Sequence, residues 1–232
     1  MKYFLIIFLT FKSIVFSQVN TLESKGIIET LNTTNLISGS GTWVNGKIED
    51  KSILGSPYLF NNWIGVFNVS TKDGGSNKLF NLNYNLKTKT IESIISKDSI
   101  YQYDMSNIDF VNINNEKYDV FLSSKNDELN GLYKVLFENE KIKLYKEFKI
   151  YVLESTINPL TQEKISKDEY VQLFNYYFIK SDKFSNLKLN KSSVLNYLDD
   201  KRDLIKKYVN SNNLSYSNEI DVVKILNYYI SI

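Results

Sequence analysis

The chain contains no cysteine and no histidine among its 232 residues. Together these absences remove thiol nucleophiles, disulfides, the common zinc ligand sets, imidazole general bases and the Ser-His-Asp triad. Alanine is missing as well, Arg202 is the single arginine, and Pro57 and Pro159 are the only prolines. A chain this poor in Ala and Arg and this rich in Lys, Asn, Ile and Tyr has the pattern that a strong coding bias would produce without selection on function, so abundant Lys or Asn is weak evidence of binding. An excess of one charge sign is also lacking. The full chain is +2, and without Lys2 and Lys12, in a segment read below as removed, 26 basic residues face 26 acidic ones. Basic and acidic residues are interspersed, which argues against nucleic acid as a partner, because that binding relies on clustered cations that release counterions.

What is present is apolar and aromatic material, 43% hydrophobic and 14% aromatic, enough for one substantial core with an appendage. Residues 1–17 read as a secretory signal peptide: Lys2 is the positive n-region, residues 3–11 the apolar core, and Val15-Phe16-Ser17 the cleavage site. The apolar run is short for a bilayer span and Lys12 interrupts it. With no cysteine there is no lipid attachment at the cleavage point. The expected product is exported, periplasmic or extracellular, and not lipid-anchored. Residues 18–54 give weak signals, with 22–31 open to helix or strand, a Ser38-Gly39-Ser40-Gly41 break, and Trp43 and Val44 starting the ordered sheet.

The middle, 55–189, reads as an antiparallel sheet. Residues 79–86, Leu-Phe-Asn-Leu-Asn-Tyr-Asn-Leu, show the pattern most clearly: Phe80, Leu82, Tyr84 and Leu86 take one parity, Asn81, Asn83 and Asn85 the other. Successive strand side chains point to opposite faces, so one dry face and one wet, uncharged face are expected. Similar strands are expected at 63–69, 89–96, 99–103, 108–113, 117–123, 131–138 and 141–153. Their links have hairpin chemistry: Asp73-Gly74-Gly75, Asn114-Asn115 and a two-residue Asn139-Glu140 loop. Links this short allow only antiparallel neighbours, so a meander follows. The long strand at 141–153 predicts strong curl, up to a half-open barrel. Residues 154–168 are irregular. For 169–180, a Ser166/Glu169 capping box favours helix, while Tyr176-Tyr177-Phe178-Ile179 favours a strand, chosen for 175–180, with 184–189 pairing back as a hairpin.

Residues 190–232 change character. Asn190, Asp200 and Ser217 are placed to cap three short helices with apolar stripes Val194/Leu198, Leu204/Ile205/Tyr208/Val209 and Val222/Leu226/Tyr229. The fold class is therefore α+β, mainly β: a curled antiparallel meander, or half-barrel, with a small C-terminal helical cluster packed on the sheet.

Four constellations invite a chemical reading. Ser185 and Lys188 have serine-lysine dyad spacing, but strand alternation sends them to opposite faces. Asp199/Asp200 and Glu138/Glu140 offer paired carboxylates, with capping and solvation as the simpler account. Asp73 to Asn77 resembles a calcium loop without its further acidic ligands, so a plain turn is the better reading. Lys201, Arg202, Lys206 and Lys207 are offset by Asp199, Asp200 and Asp203, as on an ordinary helix surface. No catalytic residue, metal site or cofactor is assigned. The ligand or partner candidates are Tyr58, Phe60 and Trp63 in the aromatic loop, and Asn81, Asn83 and Asn85 on the wet strand face.

The segment Gly55-Ser56-Pro57-Tyr58-Leu59-Phe60 with Trp63 and Gly65, Asn83-Tyr84-Asn85 followed by Ile91-Glu92, and a tail with Tyr176-Tyr177 and Lys188-Leu189-Asn190-Lys191 resemble a group of uncharacterised secreted proteins from Bacteroidota-type bacteria. The resemblance implies an envelope or secreted location and a meander with terminal helices. It brings no activity or ligand. The expected role is a non-catalytic envelope module with a protein, glycan or lipid partner. A half-barrel lipid or lipoprotein carrier is the alternative, and a carboxylate-dependent hydrolase the weaker one. An integral outer-membrane barrel is disfavoured by charges on both parities of several strands.

Overall fold

The structure, a computed structural model, describes residues 41–45, 52–96, 99–123, 129–181 and 183–232. The expected signal peptide and the 22–31 segment lie outside them. Twelve strands form one open, mostly antiparallel sheet. The early strands are β1 (Thr42–Asn45), β2 (Ile53–Leu54), β3 (Ile64–Thr71), β4 (Ser76–Asn85), β5 (Thr90–Ser96) and β6 (Ser99–Gln102). The later ones are β7 (Ile108–Ile113), β8 (Glu116–Phe121), β9 (Gly131–Glu138), β10 (Ile142–Leu153), β11 (Asp168–Lys180) and β12 (Lys183–Leu187). Helices α1 (Lys191–Tyr197), α2 (Arg202–Ser211) and α3 (Glu219–Ser231) close the chain.

The spatial order is β1-β6-β5-β4-β3-β7-β8-β9-β10-β11-β12, with β2 parallel to the start of β11. From β3 to β12 the meander therefore has one interruption, while β1 and β2 pair out of sequence with β6 and β11. After β6 the chain turns through Met105–Asn107, where the Asp104 carboxylate accepts from Ser106 N at 2.8 Å, and β7 returns to pair with β3. The expected turns are built as their residues dictate. Asn114 and Asn115 both adopt positive φ, 51° and 65°, and Gly74 lies at 87°. The β9–β10 link is longer than the two residues expected: Asn139 Oδ1 accepts from Lys141 N and Ile142 N, and β10 starts at Ile142.

Strand β4 departs from simple alternation. Asn81 has φ 53° in the middle of the strand, a left-handed kink that Asn tolerates better than most residues. Before the kink Leu79 is the buried residue and Phe80 is only half-buried; after it Leu82 and Tyr84 are buried, and so is Asn83. The dry face thus changes parity at Asn81, and the expected continuous wet asparagine face does not exist.

Residues 168–180 are strand throughout, which settles the ambiguity against helix; Ser166 bonds to Ser155 rather than capping. The helices form where expected, with shifted caps. Asn190 accepts from Ser193 N, but Asn218 replaces Ser217 as the cap of α3, and α2 begins after Lys201 with no side-chain cap because Asp200 is held by Lys180 and Tyr229.

Two large apolar clusters divide the inner face. One joins Phe67, Val69, Leu79, Leu82, Tyr84, Ile91, Val111 and Tyr118 across β3 to β8. The other packs Leu144 and Phe178 of β10 and β11 against Val194, Ile205, Val222 and Leu226 of the helices. The sheet curls enough for the Tyr84 hydroxyl of β4 to accept from Leu132 N of β9 at 3.1 Å. No helix among the described residues is long and apolar enough to cross a membrane.

Candidate functional site

The aromatic loop at 55–63 and the asparagines of β4 meet, and they meet each other. Asn83 is 1% exposed. Its Oδ1 accepts from Phe60 N at 3.1 Å and its Nδ2 donates to Phe60 O at 2.8 Å, a two-point grip on one loop residue. Leu59 N donates to Tyr84 O and Leu86 N donates to Pro57 O, both at 2.9 Å, so the loop runs along β4 where β3 has not yet begun. Tyr58 bridges to Asn85 and packs its ring against Trp63, tilted at 55° with centroids 4.9 Å apart. Asn85 Oδ1 also accepts from Lys87 N and Thr88 N, holding the β4–β5 turn. Asn81 takes no part in this grip.

Behind the loop lies Glu92, also 1% exposed. Tyr58 donates its hydroxyl to Oε2 at 2.7 Å, while Gln102 Nε2 at 2.8 Å, Asn85 Nδ2 at 3.1 Å, and the Thr90 and Thr88 hydroxyls at 3.2 and 3.3 Å reach Oε1. Burial, with the adjoining Glu92 carboxylate, drives the Tyr58 hydroxyl well above the usual phenol range, so it remains a donor. A buried carboxylate is tolerated when its lone pairs are filled, and here neutral donors fill them. The motif Ile91-Glu92 was visible in the sequence, but nothing local announced that Glu92 would be the buried anchor of a loop 34 residues away.

On its other side the same stretch grips β11: β2 pairs with Asp168 and Glu169, and Gln172 Nε2 donates to Tyr58 O at 2.8 Å. Residues 52–60 therefore clasp β4 to β11 and hold the sheet in its curl. Leu59 and Phe60 seal the inner core beside Phe148 and Ile150.

Past the end of β9, β10 and β11 continue as an arm whose β11 edge carries the clasp, with β2 paired to Asp168 and Glu169 at its far end. Pairing of β10 with β9 ends at Glu147, but pairing with β11 runs on to Leu153. Six residues at about 3.3 Å each carry the arm about 20 Å further, before the loop at 154–167. Sixteen large hydrophobic residues are exposed among those described, and eight of them lie on this arm and its loop: Tyr151, Val152, Leu153, Ile157, Leu160, Ile165, Leu173 and Phe174. Leu160 is 92% exposed. The signal was present in Ile150-Tyr-Val-Leu153, apolar on both parities, and in Leu160 and Ile165 within a polar loop.

The other constellations are used internally. Glu138 is held below its usual range by hydrogen bonds from Lys117 and Lys143. Asp73 accepts from Thr71 Oγ1 and Gly75 N to close its turn, which holds its carboxyl low. No hydrogen bond joins Ser185 to Lys188, and no group of three His, Cys, Asp or Glu among the described residues is placed to hold a metal. The second buried acid, Glu147, accepts from Tyr177 at 3.0 Å and Asn175 at 3.3 Å, and pairs with Lys149 at 3.4 Å. Searches of protein-family models, curated proteins and solved structures find no match to this chain.

Proposed function

We propose that this protein is a non-catalytic binding module of the cell envelope or exterior, and that the arm is its contact surface for a protein partner. The observation that carries this reading is the crowding of half the exposed large hydrophobics among the described residues onto β10, β11 and the loop between them. Exposed apolar surface is costly to solubility and gathers where a partner covers it. A protein fits better than an anionic membrane: from 149 to 169 the arm has Lys149, Lys164 and Lys167 against Glu154, Glu163, Asp168 and Glu169, without the cation excess that membrane-surface elements carry. Export rests on Lys2, the apolar run after it and Val15-Phe16-Ser17.

The carrier alternative gains nothing from the helix-covered core. The cavity between Phe178, Leu187, Val194, Leu198, Val222 and Leu226 measures about 10 Å³, the size of one water rather than an acyl chain. The test is capture from the envelope and medium of the native host by immobilised wild-type protein and by a Leu160→Ser, Ile165→Ser, Leu173→Ser variant. The expected result is a protein retained by the wild type and lost by the folded variant. Equal retention by both, or none by the wild type, defeats the proposal.

A further inference from the structure

Away from the arm, α2 and α3 meet through Tyr208 and Tyr228. Each stands three residues after a fully buried isoleucine, Ile205 and Ile225, so both rings sit at the margin of a buried helix stripe, partly open to solvent. Their centroids are 4.0 Å apart and their planes 6° from parallel. Ring pairs held by packing alone favour edge-on or offset contacts at about 4.5–7 Å, so this face-to-face stack is unusually close. The other tyrosine pairs among the described residues differ in both respects. Tyr101 with Tyr103, Tyr133 with Tyr145 and Tyr133 with Tyr177 lie 5.1–6.3 Å apart at 65–84°, and all are buried.

We infer that Tyr208 and Tyr228 are a site of oxidative cross-linking, where a peroxidase with hydrogen peroxide, acting by one-electron steps, joins the two rings through a carbon–carbon bond. The inference does not rest on the arm. Each phenol first gives up one electron and its hydroxyl proton, leaving two neutral phenoxyl radicals whose unpaired spin is shared with the ring carbons beside the oxygen. Two such carbons bond through the π lobes above and below the ring planes. A parallel stack presents those lobes to each other, and an edge-on pair does not. Each bonded carbon then loses its hydrogen as its own oxygen regains one, which restores both phenols. One hydrogen peroxide takes up the two electrons and two protons and leaves as two waters. No described residue hydrogen-bonds either hydroxyl, so both protons can pass to solvent. In a chain without cysteine no disulfide can tie α2 to α3. The new bond closes a loop of about 20 residues and restricts the unfolded chain as a disulfide does.

The test treats the purified chain, diluted to suppress contact between molecules, with a haem peroxidase and hydrogen peroxide, and then digests it with trypsin. The expected product joins residues 208–224 to 225–232 and is lighter than the two peptides by two hydrogens. Fragmentation should place the bond at Tyr208 and Tyr228, not at Tyr216 or Tyr229, which lie in the same peptides. Tyr208→Phe and Tyr228→Phe keep a ring in the stack and should each cut the yield at least about tenfold, while Tyr216→Phe should leave it within about twofold. Oxidation in urea should scatter the bonds over the chain's 17 tyrosines. The bridged chain should melt above an equally treated Tyr208→Phe variant, once the two untreated chains are shown to melt alike. No bridge in the folded chain, bonds as scattered as in urea, a bridge that survives Tyr208→Phe, or no gain in melting temperature overturns the inference.

Discussion

Replacing Asn83 with alanine probes the clasp at its tightest point. The substitution removes the acceptor of Phe60 N and the donor to Phe60 O, at 3.1 and 2.8 Å, and leaves both loop groups to find water in a part-buried setting. A buried backbone group stripped of its partner costs about 1–3 kcal/mol, so the pair is worth about 3 kcal/mol here, the lower half of the summed range, because the loop can relax outward. For a domain of this size that corresponds to a fall in Tm of about 6–12 °C. Urea titration gives the free energy, and hydrogen exchange localises it: protection should be lost first over 55–63 and at the Leu59 N–H that pairs with Tyr84 O. Asn81→Gly is the matched control, since φ 53° suits glycine and no clasp bond is touched; it should change stability by under about 1 kcal/mol. An Asn83→Ala variant that loses under about 0.5 kcal/mol with intact protection over 55–63 would refute the clasp.

Tyr58→Phe leaves Glu92 short of its 2.7 Å donor and should cost about 1.5–3 kcal/mol by urea titration, with Trp63 emission reporting the displaced loop. Gly131→Ala should destabilise by about 2 kcal/mol, because φ is 150° and the added Cβ would lie 3.0 Å from the Tyr84 hydroxyl; a neutral outcome would mean that β4 and β9 do not approach as described. Acid should loosen α3. Burial alone would raise the Glu219 carboxyl, but hydrogen bonds from Lys146 and Tyr176 outweigh it and hold it low. A depressed folded pKa gives stability that is present above the unfolded value of about 4.3 and is lost as pH falls through the folded one. Glu219→Gln should therefore flatten the stability profile below about pH 4, and an unchanged slope would contradict the pairing.

How far the sequence carried differs by element. Alternation located most of the strands, and Asn-Asn and Asp-Gly-Gly located turns, because these signals are local. The cap at Asn190 was legible for the same reason. The parity change in β4 was not, since a single left-handed residue reverses which side chains face inward and Asn81 looks like its neighbours Asn83 and Asn85. Nor was the return of β7 to β3, which depends on long-range pairing. Tyr58, Phe60, Trp63, Asn81, Asn83 and Asn85 were grouped in the sequence as candidates to bind a ligand or partner, and the structure instead joins the loop to the strand through Phe60 with Asn83 and Tyr58 with Asn85. The arm was written in its composition, but its exposure becomes visible only once β9, which begins at Gly131 and pairs with β10 no further than Glu147, is set against a β10 that runs on to Leu153.

The most direct test separates clasp from arm in the living host, with a photo-crosslinking residue placed singly at Tyr58, Leu160 or Leu173. The account predicts intermolecular crosslinks from 160 and 173, and from 58 only products within the chain. Intermolecular capture from 58, with none from the arm, would contradict it.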